Sequence, residues 1–97
     1  MFARVASFEG GDGKRILEMN EEAMQSGTMN APQEIKRVLL FDDDQRNRRL
    51  FITFFDSREA IQAAEERFES MGDEIPEDIR GRRTSVDVYE VVFDQEM

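Results

Sequence analysis

The sequence predicts a single α+β domain over residues 1–97, in the order strand, helix, strand, strand, helix, strand. Three observations predict it. The hydrophobic period alternates between about two and about 3.6 along the chain. Each change of period falls at a Gly, a Pro or a capping residue. A hydrophobic content of 39%, with eight Phe, supplies the apolar surface for one core.

Residues 1–8 alternate, with Phe2, Ala6 and Phe8 on one side and Ala3 and Val5 on the other, as in a strand. EGGDG (residues 9–13) ends it. Over residues 12–25, Ile16, Leu17, Asn20, Ala23 and Met24 fall on one helical face with acids elsewhere. Asp12 sits near the helix start, where its charge suits the dipole, and Gly27 is a natural stop. TMNAPQE follows as a loop, because Pro32 disfavours helix at Ala31. Residues 35–41 and 50–55 are the second and third strands. Asp56 and Glu59 have the capping-box spacing, with Ser57 as the competing cap. Behind them Ala60, Ile61, Ala64, Phe68 and Met71 line one face, and Gly72 closes the helix. DEIPEDIRGRR is a polar connector that admits one short turn after Pro76. Residues 84–93 make the last strand, with Val86, Val88 and Val92 on one face and Tyr89, Val91 and Phe93 on the other. This is the ferredoxin-like βαββαβ order: an antiparallel four-stranded sheet with both helices on one face.

FDDDQRNRR (residues 41–49) sets acids before arginines between two apolar runs. A hairpin with Gln45 and Arg46 at its tip pairs Phe41 with Leu50, Leu40 with Phe51, Leu39 with Ile52 and Val38 with Thr53. The same register sets Asp43 opposite Arg48 and Asp42 opposite Arg49. Each opposite-charge pair contributes about 0.2–1 kcal/mol, and a slip of one residue would mispair both. Gln-Arg is a poor two-residue turn, so a four-residue tip, Asp44 to Asn47, is expected. A calcium loop is excluded. It would need an acid at 46, Gly at 47 and Glu at 53, where the chain has Arg46, Asn47 and Thr53. Consecutive strand acids also point to opposite faces, so no metal is expected here.

Composition narrows the partners. A net charge of -9, from 22 acids and 13 basic residues, repels nucleic acid and anionic lipid alike. The chain has no Cys, His or Trp, which removes disulfides, thiolate nucleophiles and thiolate metal sites. No apolar run approaches the ~20 residues of a membrane helix. A cytoplasmic protein is expected, without membrane or nucleic-acid partners.

The hairpin is apolar on both faces: Leu39, Phe41, Leu50, Ile52 and Phe54 on one, Val38, Leu40, Phe51 and Phe55 on the other. A sheet covered by helices on one side should be polar where it meets water. The second apolar face therefore calls for a partner, and a two-fold homodimer packed sheet to sheet is the simplest closed solution.

FARVASFEGGD opening into the first helix, RLFITFFDSREAIQAAEE running into the second, and SVDVYEVVF closing the sheet together span nearly the whole chain. In these patterns the chain resembles the dimeric α+β barrel proteins, in the group with antibiotic-biosynthesis-monooxygenase-like domains. The resemblance implies two sheets backed onto each other as a barrel. It also implies one of several roles, among them cofactor-independent oxygenase, haem-degrading enzyme and small isomerase. Its haem-handling members ligate iron through a histidine; this sequence has none, so no cofactor is expected. Where such domains often carry Trp, just before the second helix, this chain has Phe55.

The remaining candidates for chemistry are Asn20, Tyr89 and Arg4. Asn20 is the polar member of the first helix's apolar stripe, placed to hydrogen-bond a substrate oxygen or to be satisfied within the protein. Tyr89 is the one tyrosine, a proton donor or a strand aromatic with its hydroxyl at the rim. Arg4 shares a face with Phe2, Ala6 and Phe8, and would pair with a ligand carboxylate or with an acid such as Glu90. Ser7 and Thr53 have no histidine to activate them. EGGDGKR fails the phosphate-loop spacing, which would need Gly at 8 and Ser or Thr at 15 where Phe8 and Arg15 stand. Met19, Met24 and Met71 read as gap-fillers, and the acids of AAEERFES as a solvated face. The function expected is a module that binds a small apolar or aromatic ligand. The alternative is a cofactor-independent monooxygenase or isomerase acting on a small aromatic or polyketide-like substrate.

Overall fold

A computed structural model describes residues 1–26 and 34–97, apart from the side chains of Met24 and residues 71–74. The order is β1 (Phe2–Glu9), α1 (Gly13–Ser26), β2 (Arg37–Asp43), β3 (Arg48–Phe55), α2 (Arg58–Glu74), α3 (Glu77–Arg80) and β4 (Arg82–Glu90). The strands form one antiparallel sheet in the order β2-β3-β1-β4. The predicted architecture stands, with the short turn after Pro76 present as α3.

The hairpin has the register its charges specify. Phe41 faces Leu50, Leu39 faces Ile52, Asp42 faces Arg49 and Asp43 faces Arg48, with residues 44–47 in the turn. Ion pairs of 3.2 Å (Arg48 Nε to Asp43) and 3.5 Å (Arg49 Nε to Asp42) close the ladder.

Several boundaries differ from expectation. Both hairpin strands run two residues nearer the tip than the apolar runs alone indicate, because those charged pairs extend the ladder. β4 begins at Arg82 and ends at Glu90, so Val92 and Phe93 lie beyond it. β1 ends there too, and the amide of Val91 donating to Met1 O is the last rung. The cap of α2 is Ser57, whose Oγ accepts from the Ala60 amide at 3.1 Å; Asp56 instead pairs with Lys36 at the surface. Gly72 does not stop α2, which continues to Glu74. The expected stop of α1 at Gly27 lies outside the described residues. At the other end Asp12 Oδ1 accepts from the Arg15 amide at 3.1 Å, fixing where α1 starts.

Pairing partners in an antiparallel sheet point to the same side, so the register assigns the faces. Phe2, Arg4, Ala6, Phe51, Thr53, Phe55, Val86 and Val88 share one. Onto it α2 sets Ile61, Ala64 and Phe68, which form the buried core with Phe55. The Phe68 ring meets Phe55 and Phe51 edge-on, at centroid distances of 6.1 and 6.5 Å. The start of α1 lies over the same side, since a Cβ on Gly13 would come within 3.2 Å of both Arg49 and Asp42. Beyond that point α1 is shallowly seated: none of its described residues is buried, and Leu17 is exposed.

Candidate functional site

Among the described residues nothing covers the opposite face of the sheet. Ala3, Val5 and Ser7 of β1, Leu50, Ile52 and Phe54 of β3, Leu39 and Phe41 of β2, and Asp87 and Tyr89 of β4 point there. Its centre is apolar and its charges lie towards the ends and the β4 edge. At the hairpin end a concavity of about 470 Å³ is lined by Ser7, Phe41, Leu50 and Ser85 among others, with Asp43 and Arg48 at its edge. An irregularity in the β1–β4 register between Ser7 and Phe8 leaves Thr84 unpaired in the ladder, and its hydroxyl donates to Ser7 O. Partial desolvation raises the Asp43 carboxyl. The Arg48 hydrogen bond, the Arg46 amide and the two guanidinium charges outweigh this and hold it below its ordinary value.

Beneath this end Arg49 ties three segments together. Its Nη1 donates to Gly10 O at 2.6 Å, its Nη2 donates to Asn47 Oδ1 at 2.9 Å, and its Nε faces Asp42. Next to it the backbones of Gly11 and Gly81 touch. A Cβ on Gly81 would sit 2.6 Å from Gly10 O, and its φ of 81° is itself one that only glycine adopts freely. A second concavity of about 400 Å³ opens here, between the start of α1 and the hairpin tip, with Lys14 and Asp44 on its wall. Of the aspartates around it, Asp12 accepts from the α1 start and Asp42 faces Arg49. Among the described residues no group of acids is placed to hold a metal.

Comparison with solved structures decides the fold type. The chain superposes on a variant of MhuD crystallised with two manganese protoporphyrin IX molecules per active site. The TM-score is 0.59 at 16% identity, and both chains are covered in full. It also superposes on a Deinococcus radiodurans protein assigned provisionally as an antibiotic biosynthesis monooxygenase. Here the TM-score is 0.51 at 10% identity, with 100% of this chain and 98% of that one covered. The chain has an antibiotic-biosynthesis-monooxygenase-like fold. At these identities the likeness is one of fold. No protein-family model matches the sequence, and no curated protein is significantly similar to it.

Within this antibiotic-biosynthesis-monooxygenase-like fold the three sequence candidates fall in different places. Arg4 lies under α2, 2% exposed, with Nε donating to Glu65 at 2.7 Å and Nη2 at 3.3 Å. Its guanidinium also stacks over the Phe68 ring, 4.2 Å from the centroid. The expected partner Glu90 is opposite Phe2 instead, and Glu65 takes the role from across the layers. Glu65, expected on a solvated face, is instead half-buried against the Arg4 guanidinium. The available signal was its place beside Ala64 and three residues before Phe68, on the shoulder of the apolar stripe. Thr53 pairs with Arg4 in the ladder, and its buried hydroxyl has no hydrogen-bond partner among the described residues. Asn20 is half-buried on α1. Tyr89 is 58% exposed on the uncovered face, on the other side of the sheet from Arg4. Neither concavity is lined by any of the three.

Proposed function

We propose that the protein works as a homodimer, packed through its uncovered sheet faces, that binds a small apolar or aromatic ligand. One observation carries this: the sheet is apolar on both sides and has helices on only one. A face of that composition is covered in a stable soluble protein. A second copy is self-complementary by symmetry. It would also roof the 470 Å³ concavity at the hairpin end, converting an open hollow into an enclosed one of ligand size. Phe41 and Leu50 would give that space its apolar wall, with the Ser7 and Ser85 hydroxyls as its polar contacts. The porphyrin-bound MhuD structure supports the idea that this fold accommodates flat aromatic molecules. Among the described residues no helix is long and apolar enough to cross a membrane, and the cysteine-free sequence supports a cytoplasmic setting.

Light scattering on the purified chain tests the assembly. A thermal-shift series against quinones, polyketide-like phenols and small aromatic acids tests the ligand. The expected results are a dimeric mass and stabilisation by at least one aromatic compound; a monomeric mass refutes the proposal.

A second reading, a cofactor-free monooxygenase or isomerase acting on an aromatic or polyketide-like substrate, draws its support from the Deinococcus radiodurans likeness. Asn20, Tyr89 and Arg4 are the residues to change. Turnover of a quinol or phenol that falls in Asn20→Ala or Tyr89→Phe would favour it over ligand binding alone.

A further inference from the structure

The uncovered face changes character along the strands. Three rows of the ladder, centred on Phe54, Ile52 and Leu50 of β3, are mainly apolar. The fourth, at the hairpin end, is wholly charged and runs Asp43, Arg48, Glu9, Arg82 across the sheet. Two further charges stand at opposite edges of the apolar rows, Arg37 on β2 in the first row and Asp87 on β4 in the second. We infer that the second copy is related by a two-fold axis parallel to the strands, running between β3 and β1. Each β2 edge then lies against the other copy's β4 edge, the hairpin ends lie together, and Asp87 pairs with the partner's Arg37. This rests on the sheet-to-sheet dimer proposed above and fixes how its faces meet.

Polarity is the first reason. Rotation about that axis keeps every row at its own height, so apolar rows meet apolar rows and the charged row meets its own copy. That row is neutral, its acids and arginines already joined as Arg48–Asp43 and Arg82–Glu9 at 3.2 and 3.6 Å. An axis across the strands would instead set Arg48 and Glu9 over the row of Phe54 and Ala3, burying charges against apolar side chains. A diagonal axis would lay the charged row along an edge strand, over Leu39 and Phe41 or over Tyr89.

Charge is the second. The ladder positions of this face carry three acids (Glu9, Asp43, Asp87) and three arginines (Arg37, Arg48, Arg82), on a chain whose net charge is -9. A face so balanced fits its own copy better than a strongly charged partner. Arg37 and Asp87 are exposed, and neither has an ion pair among the described residues. Reversing the strand order brings the partner's Arg37 over Tyr89, with Asp87 one row, about 7 Å, further along the strand. The ring and the carboxylate both favour a cation there. With the axis across the strands, β4 would lie on β4 and each Asp87 would neighbour the partner's Asp87, a like-charge contact. The inferred rotation also sets the two hairpin-end hollows mouth to mouth, so the proposed ligand would occupy one space walled by Phe41 and Leu50 of both copies.

Two measurements test this. Gln45 stands exposed at the hairpin tip and the sequence has no native Cys, so Gln45→Cys takes one nitroxide label per copy. Electron–electron dipolar spectroscopy should place the two labels within about 25 Å, because two strand spacings and the gap between the sheets are all that part the tips. An axis across the strands would put them at opposite ends, more than about 30 Å apart. Such a distance in a dimeric protein overturns the orientation while the sheet dimer stands. Independently, Asp87→Arg and Arg37→Glu should each raise the dimer dissociation constant roughly tenfold or more in sedimentation equilibrium, with circular dichroism unchanged. An equimolar mixture of the two variants should dimerise as tightly as the parent, because the mixed dimer has one parental pair and one with both signs reversed. If mixing restores nothing, or if either variant alone dimerises as tightly as the parent, the pairing is overturned. A monomeric parent chain overturns the orientation and the sheet dimer together.

Discussion

Replacing Glu65 with Ala isolates what the buried Arg4 contributes. Arg4 is 2% exposed, and its guanidinium donates one short hydrogen bond (2.7 Å) and one longer one (3.3 Å) to Glu65, with Phe68 on its face. Removing the partner of a fully buried pair costs about 3–5 kcal/mol, because a desolvated charge is left behind. Here the Glu65 side chain is 38% exposed, so water reaches the truncated site and screens part of that loss. The stacking on Phe68 survives as well. The expected cost is therefore about 2 kcal/mol, which for a domain of this size lowers Tm by roughly 8–16 °C. Urea unfolding at one fixed protein concentration measures it without a confounding shift in any dimer equilibrium.

The companion double variant sharpens the point. Arg4→Met with Glu65→Leu replaces the pair by apolar groups of similar size, and such swaps are close to neutral. The double variant should recover most of the loss, giving a coupling energy of about 1 kcal/mol or more in the thermodynamic cycle. A Glu65→Ala cost below about 0.5 kcal/mol, or additive effects of the two changes, would show that Arg4 is not held by Glu65 and would refute the reasoning.

Three further outcomes are expected. Thr53→Val keeps the shape and deletes an unpartnered buried hydroxyl, so it should stabilise by about 1 kcal/mol in the same urea assay. Gly81→Ala must put a Cβ against the backbone of Glu9 and Gly10 at a left-handed φ, and should cost about 2 kcal/mol or more, with Gly10→Ala milder because nothing lies near its Cβ. The folded-state pKa of Asp43 lies below its unfolded value. Its contribution is therefore fully present above the ordinary carboxylate pKa of 3.8 and is lost as pH falls through the lower, folded value. Asp43→Asn should flatten that acid limb of the stability–pH curve, and Arg48→Ala should shift Asp43 towards its ordinary pKa by NMR titration.

The parts of the fold legible in the sequence were those governed by local chemistry and period. The hairpin register followed from two charge pairs, since only one alignment satisfies Asp42 with Arg49 and Asp43 with Arg48 while keeping the apolar residues facing each other. The faces of β1 and β4 followed from alternation. Helix starts were legible where a side chain closes its own turn, as Asp12 does. They were ambiguous where two candidates adjoin, as at Asp56 and Ser57, because the choice depends on which carbonyl and side chain the turn presents. What stayed hidden was long-range. Glu65 lies 61 residues from Arg4, and its place on the shoulder of the helix stripe is a local signal that does not name so distant a partner. Gly11 and Gly81 are likewise ordinary turn glycines in sequence, and only the meeting of two connections at one end of the sheet gives them a shared reason.

The same geometry bears on where chemistry can reside. Arg4 and Tyr89 sit on opposite sides of one sheet, and a strand's side chains cannot cross it. A two-fold partner packed on the uncovered face adds neighbours to Tyr89 but none to Arg4, which stays beneath α2. A single reacting centre therefore draws on one of the two. The uncovered side has a hollow and the exposed Tyr89 hydroxyl, and its apolar residues need cover. The helix side has an arginine already neutralised and stacked. The proposed ligand site thus lies on the side that a second copy would close. If a bound aromatic compound instead perturbed α1 and Asn20 while leaving Ser7, Phe41 and Ser85 unchanged in an NMR titration, the site would lie under the helices and the assignment to the uncovered face would be wrong.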